Sequence, residues 1–273
     1  MPAFWIGLLL ALVSAVAVNW AYAREHDAAA TLPTLSLREP RRSLRLLLGA
    51  RAWVLAFSVE SAGWLVYVAA LRLAPLALVQ AVCAAGIGVL AFAGAGGRVS
   101  SVSSRERAGV TIAFFGLLLL ALSIAGSHQV DRPPDALGVV LWLGACAGGA
   151  AAAALSFPLG SRDAGLGFAA GLLFAGGDIS AKLLGYGGRW FVILVPLVVC
   201  YGLGTSLLQG AFQRGRALTA AGIATLTTNA VPIAAGFVLF GESLPSGAAG
   251  GLQIAALAAI VVSATLLGRP GTT

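Results

Sequence analysis

The sequence predicts an all-α, polytopic membrane protein with about nine transmembrane helices. Of its 273 residues, 59% are hydrophobic and only 10% are charged, which is far from the composition of a soluble domain. The apolar residues form continuous runs of roughly twenty, each long enough to cross a hydrocarbon core of about 30 Å as a helix. A β-barrel would instead show short segments of alternating hydrophobicity. The runs lie near residues 3–23, 52–72, 75–94, 108–126, 137–157, 165–185, 190–213, 217–240 and 246–268.

The first run and the gap after it set the N-terminal organisation. No basic residue precedes residues 3–23, and Arg24 follows them, so we expect a retained spanning helix and not a cleaved signal peptide. The gap at 24–51 is interrupted by prolines and ends in a basic amphipathic stretch from residue 38 to 51. Such a segment is typical of a cytoplasmic loop that lies on the membrane surface.

The basic residues indicate the orientation. Thirteen of the seventeen lie in alternate gaps or in the C-terminal tail, only three lie in the other gaps, and Lys182 lies within a span. Because Lys and Arg accumulate on the cytoplasmic side, we expect the N-terminus outside and the C-terminus inside the cell (inner or plasma) membrane. The net charge of +7 is then a topology signal and a contact for membrane lipids, not a nucleic-acid-binding surface. The thirteen are Arg24, Arg38, Arg41, Arg42, Arg45, Arg51, Arg98, Arg105, Arg107, Arg162, Arg214, Arg216 and Arg269.

The spacing of spans and gaps indicates an internal repeat. A shift of 141 residues lays 61–126 on 202–267 without a gap, and a shift near 158 lays the first span on the sixth. Since five spans separate each matched pair, the two halves would have inverted topology, as in many secondary transporters. The division is then 1–126 as a first repeat of four spans, 127–136 as an external linker, and 137–273 as a second repeat of five spans. The alternative is that two helical bundles with similar loop lengths can always be slid into register.

Glu60 is the first candidate for a functional residue within a span. It lies near the middle of the second span, and helical spacing places Trp64 and Tyr67 on the same face. A charge at the bilayer centre costs about 2.5–3.5 kcal/mol, so an ionisable group there is a functional candidate. An acid beside aromatic rings could hold a cationic or amphipathic solute. The alternative is a carboxyl that only fixes helix packing.

Asp178 and Lys182 form the second candidate. Their i,i+4 spacing with the acid first is favourable for an ion pair within one helix. By the expected orientation, Lys182 lies near the outer end of its span and could extend to the membrane surface. A structural ion pair and a role in substrate or ion coupling both remain open.

Uncharged polar residues complete the candidate set. Gln80, Thr225 and Asn229 supply hydrogen-bonding groups within spans. Pro232 has no N–H and leaves the carbonyl of Thr228 without its helical partner, so we expect a kink beside Asn229. These groups could contact a substrate, or they could hold neighbouring helices together.

Signatures of enzymes and of cofactor or metal sites are missing from the sequence. The two histidines, His26 and His128, fall in gaps on opposite sides of the predicted membrane, which argues against a His-based metal site or a Ser-His triad. The three cysteines all lie within spans, so neither a disulfide framework nor a zinc site is expected. No phosphate-binding loop or dinucleotide fingerprint occurs. We therefore expect no catalytic residue, cofactor or metal site.

Four parts of the sequence carry recognisable motifs: the segment 69–80 (AALRLAPLALVQ), the segment 170–174 (AGLLF) with Asp178 and Lys182, the segment 229–232 (NAVP), and the segment 239–244 (LFGESL). In this order they resemble the drug/metabolite transporter superfamily (EamA-like proteins), especially a shorter bacterial branch similar to NIPA-type magnesium transporters. The likeness covers most of residues 3–268. Two features depart from the family: Ser100 and Ser101 stand where the first half should repeat the Gly-Glu pair of the second, and the spans number nine, not ten.

The resemblance implies a secondary transporter that exports small metabolites or amphiphilic, cationic solutes by ion-gradient-driven alternating access. A divalent-cation carrier and a non-transporting membrane scaffold or subunit are the alternatives, and a homo-oligomer is left open. The expected partners are a small-molecule or cation substrate and membrane lipids. The expected substrate-binding residues are Glu60, Trp64, Tyr67, Gln80, Thr225 and Asn229, with Glu60, Asp178 and Lys182 as ion-pair or coupling residues.

Overall fold

The structure is a computed structural model of the chain, and its described part is helical throughout apart from turns and short connections. Many apolar side chains face outward, as in a protein whose surrounding solvent is lipid. The described residues are 2–35, 39–74, 79–80, 82–83, 86–94, 103–124, 134–156, 162–241 and 247–268.

Ten α-helices and one 3₁₀ helix are present in the described residues. The 3₁₀ helix, Gly188–Ile193, leads directly into α8. The α-helices are α1 (Pro2–Ala30), α2 (Pro40–Gly49), α3 (Arg51–Leu71), α4 (Ile87–Gly94), α5 (Ser104–Ile124), α6 (Ala136–Ser156), α7 (Arg162–Leu184), α8 (Leu194–Phe212), α9 (Ala217–Val238) and α10 (Ala248–Gly268).

Six helical segments in the described residues are long and apolar enough to cross a membrane, namely α1, α3, α6, α7, α9 and the 3₁₀ helix together with α8. The predicted all-helical, multi-pass membrane class is therefore confirmed at this level, while the count of nine spans stays a prediction. Helices also occupy the predicted fourth and ninth spans as α5 and α10. Of the predicted third span only part is described, including α4. Most of the predicted linker, residues 127–133, lies outside the described residues.

One boundary differs from the prediction. The first helix does not end at residue 23 but runs on to Ala30, so the first part of the predicted loop is helical. Glu25 is fully buried on this extension, where Gln209 of α8 hydrogen-bonds to its carboxylate. In the sequence, Arg24 and Glu25 indicated the end of the helix. A hydrogen bond from a distant helix lowers the free-energy cost of burying this acid.

The basic amphipathic stretch forms α2, which packs on α3. Leu47 is buried while Leu44 and Leu48 are exposed, and Arg41, Arg42 and Arg45 are exposed as well. An exposed apolar row beside arginines is typical of a helix lying at a membrane surface.

Two helices, α7 and α9, occupy the centre of the bundle. They are the most deeply buried of the six segments and pack closely on each other. A Cβ atom on Gly171 of α7 would lie 2.6 Å from the Cβ of Thr227 and 2.7 Å from the carbonyl oxygen of Ala224 on α9. Only a glycine permits this approach of the two backbones. The central helices place their polar residues against one cavity, which is described next.

Candidate functional site

The central cavity lies among α1, α3, α7, α8 and α9, with Gln80 and Cys83 contributed by the segment before α4. Its volume is about 90 Å³. The described lining carries two carboxyl groups, Glu60 and Asp178, and no basic side chain. The lining residues are Ser14, Ala15, Val18, Asn19, Tyr22, Glu60, Trp64, Tyr67, Gln80, Cys83, Phe174, Asp178, Tyr201, Thr225, Thr228 and Asn229.

Asp178 is the centre of a hydrogen-bond network although it is only 4% exposed. The hydroxyl group of Tyr201 donates to Oδ1, and Nε2 of Gln80 donates to Oδ2 at 3.0 Å. Gln80 Nε2 also donates to the Tyr67 hydroxyl oxygen at 2.6 Å. The carboxylate is thus held directly by groups from α8 and the segment before α4, and Tyr67 of α3 extends the network through Gln80.

Aromatic rings wall the cavity beside this network. Trp64 Nε1 donates to the Tyr201 hydroxyl oxygen at 2.6 Å, and the two rings meet edge to face with centroids 5.4 Å apart. The ring of Phe174 lies 5.8 Å from that of Tyr201. Aromatic rings beside a carboxyl group can contact an organic cation through cation–π and charge interactions.

Glu60 lies on the other side of the cavity, against α1. Its carboxyl group lies near the side chains of Tyr22 and Glu25 on α1. One of its oxygens, Oε2, is buried and has no hydrogen-bond donor in the described structure. The site therefore contains a third acid, Glu25, behind the cavity wall.

The amide and hydroxyl groups of α1 and α9 form the remaining polar wall. Asn19 Nδ2 donates to the carbonyl oxygen of Ala15 at 2.9 Å, and Asn229 Nδ2 donates to that of Thr225 at 2.5 Å. The Thr225 hydroxyl group donates to Oδ1 of Asn19 at 3.5 Å. Oδ1 of Asn229 is buried without a donor among the described residues.

All six sequence-predicted substrate-binding residues line this one cavity, and so does Asp178. What they bind stays a prediction. Pro232 lies within α9, which continues past it to Val238. Lys182 is not part of the lining; its Nζ lies 4.3 Å from the ring centroid of Phe240. The structure therefore gives Asp178 and Lys182 different surroundings, with Tyr201 and Gln80 as partners of the acid.

The sequence reasoning missed Tyr22, Tyr201, Asn19 and Glu25. One signal could have found two of them, because three of the chain's four tyrosines line the cavity. Tyr201 also falls 141 positions after Glu60, which is the repeat shift. No described group of three or more His, Cys, Asp or Glu side chains is arranged to hold a metal ion.

No family model, curated protein or solved structure matches the chain.

Proposed function

We propose that the protein is a secondary transporter that binds a small organic cation in the central cavity. The observation that carries this proposal is an excess of acceptors over donors. Trp64, Gln80, Asn19 and Asn229 each direct an N–H to a protein acceptor. Glu60 Oε2 and Asn229 Oδ1 are buried acceptors without a donor. A buried acceptor left unpaired is costly, and a ligand with N–H groups supplies what both oxygens need.

Charge supports the same class of ligand. Two carboxyl groups and several aromatic rings face the cavity, and its described lining has no basic side chain to neutralise them. In surroundings of low dielectric constant, opposite charges attract far more strongly than in water. The same carboxyl groups would repel an anion.

The volume limits the size of the ligand. A cavity of about 90 Å³ is smaller than the roughly 300–1,000 Å³ of most sites for drug-sized ligands. The conformation described here therefore accommodates a small cation of a few heavy atoms. A larger amphiphile would require the helices around the cavity to separate.

Helix pairing supports two inverted halves, in which α1, α3, α4 and α5 correspond to α7, α8, α9 and α10. The contact of α1 with α3 corresponds to that of α7 with α8, and α1 with α4 corresponds to α7 with α9. The contact of α4 with α5 corresponds to that of α9 with α10. The contacts of α4 with α9 and of α5 with α10 join equivalent helices, as expected for helices beside a two-fold pseudo-axis.

Individual residues repeat at the same spacing. Gly204 of α8 lies 141 positions after Gly63 of α3. A Cβ atom on Gly63 would lie 2.9 Å from Cγ2 of Val18 on α1, and one on Gly204 would lie 2.7 Å from Cε1 of Phe174 on α7. Each glycine thus permits the close contact of the first two helices of its half. A cavity between such halves is where alternating-access transporters bind their substrates.

The resemblance to drug/metabolite transporters and the outward N-terminus are part of this proposal. Movement of one half against the other would expose the cavity alternately to the two sides. The three acids would carry the cation and a coupling ion. A divalent-cation carrier and a scaffold are tested as outcomes of the experiment below.

Binding is tested first, on purified protein in lipid nanodiscs. Methylguanidinium is a suitable probe because its charge is fixed and its N–H groups are planar donors, while methylurea has nearly the same shape without the charge. We expect methylguanidinium to raise the thermal unfolding temperature and methylurea to leave it unchanged. Tetramethylammonium, which has charge but no N–H, should bind more weakly. Equal effects of methylguanidinium and methylurea would contradict a cation site.

Transport is then tested in liposomes with an imposed proton gradient. We expect gradient-driven uptake of labelled methylguanidinium by the parent and none by Asp178→Asn. Glu39→Gln, which changes an exposed acid paired with Arg42, is the matched control and should transport like the parent. Stabilisation and transport by Mg²⁺ alone would favour the divalent-cation carrier. Absence of both binding and transport for every probe would favour the scaffold.

A further inference from the structure

A second buried site lies behind the central cavity, around Glu25 of α1. Glu25 is 0% exposed and is not among the residues that line the cavity. Gln209 of α8, which is 1% exposed, donates from Nε2 to Glu25 Oε2. Glu60 of α3, which lines the cavity, lies near the same carboxyl group. Glu25 therefore lies between a residue that faces the cavity and a residue that does not.

One carboxylate oxygen of each of the two acids has no hydrogen-bond donor among the described residues. Glu25 Oε1 and Glu60 Oε2 are both buried without a hydrogen-bond partner in the described structure. The two carboxyl groups are near neighbours on α1 and α3, which pack on each other. Two adjacent buried carboxylates repel each other and are poorly solvated, so both cannot be charged at little cost. One proton carried by the pair supplies the missing donor and removes one of the two charges.

The nearby basic groups are directed to other partners. Arg24 faces the exposed Asp27 at 3.7 Å, and Nε2 of His26 contacts the carbonyl oxygen of Gly215 at 3.0 Å. Arg214, at the end of α8, donates to the carbonyl oxygen of Gly210 at 2.6 Å. On α4, Ile87 and Leu90 join the apolar cluster that includes Tyr22. The described surroundings of the acid pair therefore hold polar and apolar groups, with Asp178 as the third acid near Tyr22.

Gln209 also lines a second, larger cavity. This cavity lies among α2, α6, α7 and α8, has a volume of about 590 Å³, and is lined by Gln209 together with Leu47, Arg162 and Arg214. Gln209 Oε1 is buried and has no donor among the described residues. Gln209 thus both lines this cavity and donates a hydrogen bond to Glu25. The order of groups is second cavity, Gln209, Glu25, Glu60 and central cavity.

We propose that Glu25 and Glu60 together hold one exchangeable proton, which passes to water through the second cavity at Gln209. When a cation contacts Glu60, the O–H bond at Glu60 breaks and a carboxylate oxygen of Glu25 accepts the proton. Glu25 then gives the proton to a water molecule at the Gln209 side, and the released charge is replaced by that of the bound cation. This exchange rests on the proposed function for the identity of the cation. The proton site itself does not.

The proton site is tested without any substrate, by infrared spectroscopy of the full chain in lipid nanodiscs. We expect a protonated-carboxyl band at neutral pH that shifts in D₂O and disappears in Glu25→Gln/Glu60→Gln. Glu39→Gln should keep the band unchanged. A parent-like band in the double variant would overturn the proposal.

The route of the proton is tested with Gln209→Leu, which keeps a buried side chain of similar size and removes its polar atoms. We expect slower deuterium exchange of the carboxyl band than in the parent, because the polar contact to the second cavity is lost. Gln253→Leu makes the same change at a buried glutamine of α10 that is not among the residues lining either cavity, so it is the matched control and should exchange like the parent. An unchanged exchange rate in a folded Gln209→Leu protein would overturn the route.

Coupling is tested in liposomes with methylguanidinium. We expect Glu25→Gln to exchange labelled for unlabelled methylguanidinium and to lose uptake driven by a proton gradient. Parent-like gradient-driven uptake in this variant would overturn the role of Glu25. If the parent itself transports nothing while the infrared band behaves as expected, the proposed function fails and the proton site stands.

Discussion

Trp64 and Tyr201 join the two proposed halves of the protein through one hydrogen bond, in which Nε1 of Trp64 on α3 donates to the hydroxyl oxygen of Tyr201 on α8 at 2.6 Å. Tyr201 in turn donates to Asp178. The indole group, the phenol group and the carboxylate therefore form a chain of donors that ends at the acid of the site.

This chain predicts unequal effects of removing its two members. Tyr201→Phe removes the donor to Asp178 and leaves the indole N–H of Trp64 without an acceptor, whereas Trp64→Phe removes only the first bond. Leaving a buried polar group unpaired costs about 1–3 kcal/mol. We expect the larger loss of unfolding free energy for Tyr201→Phe, and no further loss in the double variant. Thermal unfolding of the four proteins in detergent measures the cycle; additive losses would show that the two bonds are independent.

Asp178→Asn should weaken cation binding while the fold persists, because the amide keeps the shape of the side chain and loses its charge. Loss of one member of a buried charge pair costs about 2 kcal/mol or more, which is roughly thirtyfold in Kd. Calorimetric titration with methylguanidinium measures the change. An unchanged Kd would remove Asp178 from the cation site.

The Asp178 and Lys182 ion pair predicted from the sequence is tested by a second cycle. An ion pair predicts that Asp178→Ala and Lys182→Ala each lower the folded yield and that the double variant recovers. Because Asp178 already accepts from Tyr201 and Gln80, and Lys182 lies over Phe240, we expect additive losses instead. Fluorescence-detected size-exclusion chromatography gives the yields, and recovery in the double variant would restore the ion pair.

Gly171→Ala should separate the two central helices. The added methyl group would lie 2.6 Å from the Cβ of Thr227 and 2.7 Å from the backbone of Ala224, and overpacking of this kind costs about 1–3 kcal/mol. Gly148→Ala on α6 is the matched control, since a Cβ atom there meets nothing within 4 Å. We expect a lower unfolding temperature for Gly171→Ala only. Equal behaviour of the two variants would show that the α7–α9 contact relaxes freely.

The orientation is tested with reporter fusions. The distribution of Arg and Lys predicts residues 24–51 and the C-terminus on the cytoplasmic side and residues 127–136 on the outer side. Phosphatase and fluorescent-protein fusions distinguish the two compartments. A cytoplasmic N-terminus would contradict both the orientation and the proposed inverted halves.

Continuous apolar runs located the helices well, because every run long enough to span a membrane must satisfy its backbone internally. The end of α1 was misplaced because the burial of its last turns depends on a contact with a distant part of the chain. Arg24 and Glu25 indicated an exit into water, but one carboxylate oxygen of Glu25 accepts a hydrogen bond from Gln209, which lies 184 positions away in the chain. A partner so distant in sequence leaves no local pattern, so the burial of this acid becomes visible only in the folded chain.

The candidate site was predicted in part. Helical spacing placed Glu60, Trp64 and Tyr67 on one face, and all three line the central cavity. Tyr201 was missed because a single tyrosine in an apolar span has no other polar residue at helical spacing to single it out. Its role depends on the packing of α8 against α7 and α3, which no run length specifies.

The central position of α7 has a consequence for how the protein is made. Of the six segments, α7 is the least apolar and the most deeply buried, and it contains both Asp178 and several glycines that fit only against neighbouring helices. Its partition into lipid alone is therefore the weakest of the six. Insertion of α7 at the translocon should therefore depend on its neighbours α6 and α8. These three successive segments of the nascent chain are expected to enter the membrane together.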